Sequence, residues 1–168
     1  ATALVAQHLA ARGLGELGWG KEASSLRERL RALHEALGDP WPDASDEALA
    51  GSAEQWLAPW GRRLASGSPL SQVSMLEVLR AMLPWPQAVR LDELAPEKLP
   101  IPSGGTRPID WSGAHPVLTL RVQQAFGWTD TPRLLDGRVP LVLHLTDPAG
   151  RPAAVTSDLT SFWAGPYR

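Results

Sequence analysis

The chain has 168 residues, enough for one domain or two small modules, and no cysteine, which excludes disulfides, thiolate zinc sites and thiol nucleophiles together. Hydrophobic residues make up 43% and charged residues 20%, which fits a globular chain with its own core and excludes a disordered tail. The net charge of −2 excludes a generally basic, nucleic-acid-coating protein. Residues 1–100 hold ten Lys/Arg against thirteen Asp/Glu and residues 101–168 hold six against five, so any contact with RNA or DNA is local or comes from elsewhere in the molecule.

Residues 3–12 have helix-favouring composition, closed by Gly13 and Gly15. Leu26, Leu30, Leu33 and Leu37 alternate in spacings of four and three, one stripe of a helix. Arg27, Arg31 and Glu35 form its solvent row, with Arg31 and Glu35 an i,i+4 pair. Gly38-Asp39-Pro40 stops that helix. Ser45 is the expected N-cap of the next, whose buried face is Leu49, Ala53, Trp56, Leu57 and Trp60, with Pro59 limiting its length. Gly61 to Pro69 reads as a polar loop. Ser71 to Leu83 is apolar on more than one face, as expected of a helix central in a bundle. Pro84-Trp85-Pro86 breaks it, and Gln87 to Leu94 reads as a short helix. Pro-Trp-Pro occurs at 40–42 and again at 84–86, with unlike flanks, as two independent helix stops.

The texture changes after Leu99. Leu99-Pro100-Ile101-Pro102 is extended, Ser103-Gly104-Gly105 is a turn, and Thr106 to Trp111 returns as a strand. Val117 to Phe126 fits strand or helix, with Gln123, Gln124 and Ala125 favouring helix. Val139 to Thr146 alternates around Leu141, Leu143 and Leu145. The turn Asp147-Pro148-Ala149-Gly150 then leads into a return strand, Arg151 to Thr156. Ser157 or Asp158 caps a last helix. The expected fold is α+β: a helical bundle over 1–98, then a module of β-hairpins with one or two helices over 99–168.

Eight tryptophans suit either base-stacking platforms or core packing and helix-end anchoring, the second being the commoner use. Gly15-Glu16-Leu17-Gly18-Trp19-Gly20-Lys21 fits the start of a phosphate-cradling P-loop. Glu22 stands where Ser or Thr should meet Mg²⁺, and the preceding segment reads as helix where a P-loop needs a strand. It is expected to be a helix–loop–helix connection. Asp46-Glu47-Ala48 and Asp92-Glu93-Leu94 resemble helicase acidic boxes, but both are expected in first turns of helices, complementing the dipole. His8, His34, His115 and His144 lack metal spacing. No catalytic residue, metal site or cofactor site is expected within these residues. Ser103-Gly104-Gly105-Thr106-Arg107 is either an anion-binding nest or, preferably, a plain turn. Arg107, Arg133, Arg138 and Arg151 are the candidates for nucleic-acid contact. Asp130, Asp136 and Asp147 are interleaved with the last three, so a solvated mixed-charge surface is the competing and favoured reading.

The run Leu99-Pro100-Ile101-Pro102-Ser103-Gly104-Gly105-Thr106-Arg107-Pro108-Ile109-Asp110-Trp111 resembles a stretch of bacterial ATP-dependent helicases of the HrpB type. Val117-Leu118 through Gln123-Gln124-Ala125-Phe126-Gly127 is similar to the next block. Gly137-Arg138-Val139-Pro140 through Leu145, with Arg151-Pro152, Val155-Thr156 and Ser161-Phe162-Trp163, resembles the last. Trp41-Pro42-Asp43, Ser45 to Leu49 and Trp56-Leu57-Ala58-Pro59 extend the resemblance upstream. Gly104-Gly105-Thr106 departs from it where a basic residue is usual.

The resemblance implies a parent DEAH-box helicase, an RNA-acting NTP hydrolase working in the cytoplasm, whose upstream RecA-like motor domains hold ATP and Mg²⁺. The open ends, Ala1 without a methionine and Phe162-Trp163 near the close, are expected to be cuts through that longer chain. These residues would then be an accessory C-terminal region with the motor domains as partner and RNA as a possible contact. The alternative is a protein-interaction module docking a protein partner through a Trp-rich surface, and a third reading is a small free-standing hydrolase. No membrane contact is expected, since no apolar run approaches the roughly 18 residues of a span.

Overall fold

Leu26, Leu30 and Leu33 are buried along one face of a helix, α2 (Lys21–Leu37), as their spacing requires, while Leu37 at its end is half-buried. The computed structural model describes residues 2–165; Ala1 and the closing Pro166-Tyr167-Arg168 lie outside the described residues. Two compact units result, residues 1–88 and 89–168. The α+β expectation is borne out, with helices first and strands second.

In the first unit, α1 (Thr2–Arg12) ends where Gly13, at φ +86°, returns its N–H to the Leu9 carbonyl at 2.8 Å, the usual glycine stop. It packs on α3 (Asp46–Gly51) and α4 (Ala53–Leu57). Ser45 caps α3 as expected, its hydroxyl accepting from the Ala48 N–H at 3.2 Å. Helical structure then continues through a 3-10 turn, Ala58–Trp60, into α5 (Gly61–Ala65), so the segment expected as a polar loop is helical for five residues. Pro59 cannot donate to the carbonyl four residues back, so it tightens this path without ending it. The apolar run from Ser71 becomes α6 (Met75–Met82) only after a 3-10 turn at Leu70–Gln72. Its start is set by a backbone bridge: Gly18 N–H donates to the Val73 carbonyl at 2.9 Å and Met75 N–H to the Gly18 carbonyl at 3.2 Å. Met75, Val78 and Leu79 are buried, and α2 lies against α6.

The helix α7 runs over Trp85–Leu94. In the second unit a sheet of five strands has the order β1 (Lys98–Pro100), β2 (Thr106–Asp110), β3 (Val117–Arg121), β6 (Val142–Thr146), β7 (Pro152–Thr156). A separate two-stranded ribbon pairs β4 (Arg133–Leu134) with β5 (Val139–Pro140). Both expected hairpins form, β1 with β2 and β6 with β7. Residues 117–126 correct the expectation of helix. Leu118 and Leu120 are buried while Thr119 and Arg121 are exposed, a period of two that makes a strand. Only Val122–Ala125 turns, as 3-10. β3 and β6 then pair in parallel, Leu118 beside Leu143 and Leu120 beside Leu145, after the crossover that such pairing demands.

The final helix, α8 (Leu159–Ala164), is capped by Asp158, which accepts from the Ser161 N–H at 3.1 Å. It is also tied from afar: buried Thr131 accepts the Leu159 N–H on its hydroxyl at 2.9 Å. Among the described residues no helix is long and apolar enough to cross a membrane.

Candidate functional site

Gly20 is the N-cap of α2 and Lys21 is its first residue, exposed, with α1 upstream, so the segment that mimics a P-loop joins two helices. Its middle glycine, Gly18, is bridged to Val73 and Met75. Asp46 and Glu47 occupy the first turn of α3 as expected. Asp92 and Glu93 do not; they fall in the last turn of α7, where acids oppose the dipole, and Arg90 lies 3.7 Å from Glu93 in partial compensation. His8 meets Glu16 at 2.9 Å and His34 Nδ1 meets the Trp41 carbonyl at 2.8 Å. Among the described residues no three His, Asp or Glu side chains gather as for a metal.

The four candidate arginines are spread over three places. Arg107, on β2, donates from Nε to the Thr119 carbonyl at 3.2 Å. The strand register puts Thr119 across from Pro108, which has no N–H, so the guanidinium serves a carbonyl the ladder leaves open. Arg151 sits at the β6–β7 turn and closes on Asp147 at 2.9 Å. Arg133 and Arg138 share the ribbon. Arg133 donates from Nε to the Gly137 carbonyl at 2.7 Å and from a terminal nitrogen to the Arg138 carbonyl at 3.4 Å. The Arg138 side chain makes no hydrogen bond or ion pair with the described residues and is exposed.

The ribbon holding this pair is built with backbone strain. Leu135, Asp136 and Gly137 follow one another at φ +55°, +61° and +77°, and leucine rarely accepts that region. Burial holds it there: Leu135 is 2% exposed and its N–H donates to the Leu94 carbonyl at 3.0 Å. Sequence reasoning missed this turn. A Leu-Asp-Gly step carries a glycine signal, and nothing in it marks the leucine.

At Ser103-Gly104-Gly105 the backbone forms a hairpin turn, with Gly104 N–H on the Ile101 carbonyl at 3.0 Å and Ile101 N–H on the Gly105 carbonyl at 3.2 Å. Asp110 is held below its ordinary value by the Ser112 hydroxyl and N–H, which donate to its carboxylate. Asp43 is lowered by Ser45 and Asp158 by Ser161 in the same manner.

Four of the eight tryptophans serve as anchors. The indole N–H groups of Trp19, Trp56, Trp111 and Trp163 go to the carbonyls of Leu14, Leu49, Pro96 and Trp128, all at 2.8–2.9 Å. Trp41, Trp60 and Trp111 are buried, whereas Trp85 is 79% exposed.

Comparison with known proteins gives the frame for these features. The family model of the ATP-dependent helicase C-terminal region, HrpB type, matches residues 56–168. The chain is 38% identical over 159 residues to the ATP-dependent RNA helicase HrpB of Escherichia coli (strain K12), covering 94% of this chain and 20% of that protein. It superposes on the crystal structure of E. coli DExH-box NTPase HrpB with a TM-score of 0.82 at 36% identity, covering 97% of this chain and 20% of that one. A crystal structure of the Escherichia coli DEAH/RHA helicase HrpB gives a TM-score of 0.79 at 35% identity, covering 97% of this chain and 21% of that one. The chain thus spans about a fifth of the length of the relatives it matches. Motif order, fold and sequence identity agree, and the chain belongs to the HrpB-type family of ATP-dependent helicase C-terminal domains.

Proposed function

We propose that this chain is an accessory region of an RNA helicase, supporting a motor whose ATP and Mg²⁺ are held by RecA-like domains outside these residues. The observation that carries the reading is the alignment of nearly the whole chain with one fifth of an ATP-dependent RNA helicase. The placement of Lys21 at the head of a surface helix supports it, because a P-loop lysine must follow a buried strand to reach a triphosphate. The chain's partner is then the motor, its setting the cytoplasm, and its own share of RNA contact falls to the β4–β5 ribbon. Arg138 offers a guanidinium to a backbone phosphate there, with Arg133 beside it. Arg107 and Arg151 are already engaged, by Thr119 and Asp147.

Deleting these residues from the complete helicase tests the proposal. RNA-stimulated ATPase and unwinding should fall while RNA-independent ATPase persists. A motor whose RNA stimulation and unwinding are unchanged would refute it.

A further inference from the structure

In the helical unit, a groove of about 640 Å³ runs between α6 and the segment formed by α4 and its following 3-10 turn. One wall carries Trp56 and Trp60 and the other Ala81 and Met82. Its lining positions are 52, 55, 56, 59 and 60 on one side and 77, 78, 81 and 82 on the other, together with Pro42. Positions 55, 56, 59 and 60 and positions 77, 78, 81 and 82 are each an i, i+1, i+4, i+5 stripe, the pattern a helix presents to a neighbouring helix. The two stripes therefore flank a vacant third position of a bundle. Among the described residues that line it, Glu77 is the single ionisable one. A helix lying there needs an apolar stripe for the walls and a basic residue beside it for Glu77.

We propose that this groove is the seat of an amphipathic, basic-flanked helix from the same helicase polypeptide, outside these 168 residues. The inference rests on the accessory-domain reading. The relatives favour a same-chain occupant over a separate protein, since about four fifths of their length lies outside the matched region. Trp56 is held to the groove by its N–H bond to Leu49, so the wall is preformed and docking need not order it.

The chain has no cysteine, and Ala81 is exposed in it, so Ala81→Cys places one addressable thiol on the groove. Maleimide labelling at that position is read by mass spectrometry in the 168-residue chain and in the complete helicase, each normalised to its urea-unfolded rate. Labelling should be slower in the complete helicase by about tenfold or more, as for a groove covered nine-tenths of the time. Adding Glu77→Lys should recover at least about a third of the lost rate, because the basic flank then meets a like charge. Equal rates in the two proteins overturn the proposal. So does slowing that ignores Glu77→Lys, which rules out a basic helix, or slowing that appears only when another protein is added. ATPase of the deletion reads the accessory role and labelling reads the groove, so either idea can fail without the other.

Discussion

Gly18→Ala is expected to destabilise the helical unit by about 2–3 kcal/mol, although Gly18 is not one of the two glycines that make its segment look like a P-loop. A Cβ at Gly18 would stand 2.5 Å from the Val73 carbonyl oxygen and 2.6 Å from that of Ser71, both backbone atoms that cannot swing aside. Gly18 is outside the left-handed region, so the cost is steric and not conformational. Clearing the clash means withdrawing the loop, which gives up the bonds from Gly18 to Val73 and from Met75 to Gly18. Each is worth about 1 kcal/mol, and residual overpacking adds about as much again. For a chain of this length that lowers Tm by about 5–10 °C, read by far-UV circular dichroism and confirmed by urea titration. Gly15 has open space where a Cβ would stand, so alanine there should change stability by less than about 0.5 kcal/mol. A phosphate-binding loop would reverse the pattern, tolerating Gly18→Ala and losing nucleotide affinity at Gly15, Gly20 and Lys21. An unfolding midpoint for Gly18→Ala indistinguishable from the parent refutes the reasoning.

Thr131→Val keeps the shape and removes the acceptor of the buried Leu159 N–H, so urea titration should show a loss of about 1–3 kcal/mol. Asp43, Asp110 and Asp158 all sit below the ordinary 3.8, so the unfolded chain binds their protons more readily. Their contribution to stability is full above that value and is lost as pH falls through the lowered folded values. Near-UV circular dichroism from neutral pH downward should show this. Ser112→Ala, which removes the largest cause at Asp110, should flatten the dependence, and an unchanged slope would contradict it. In the complete helicase, Arg138→Ala should weaken RNA binding for all sequences alike and reduce the salt slope by about one, measured by fluorescence anisotropy. Arg151→Ala should leave that slope unchanged, since its guanidinium is closed on Asp147.

The sequence by itself was sufficient for features whose cause is local. The Leu26–Leu33 stripe, the Ser45 cap, the turn at Asp147–Gly150 and the order of helices before strands are all visible in short windows. The blocks from Leu99 to Trp163 carried the family resemblance for a similar reason, being runs of neighbouring residues. Tertiary structure decided whatever depends on which distant segment lies opposite. Residues 117–126 look helical until the parallel β6 stands beside them and rewards alternation at Leu118 and Leu120. The helical Gly61–Ala65 and the last-turn position of Asp92 and Glu93 depend on where neighbouring helices run on or stop. Among the four candidate arginines, composition saw equal charges. Only the fold spends Arg107 on the carbonyl facing Pro108 and Arg151 on Asp147, and leaves Arg138 to solvent. A charge is legible in one dimension; its partner is chosen in three, because hydrogen bonds and burial act across space and not along the chain.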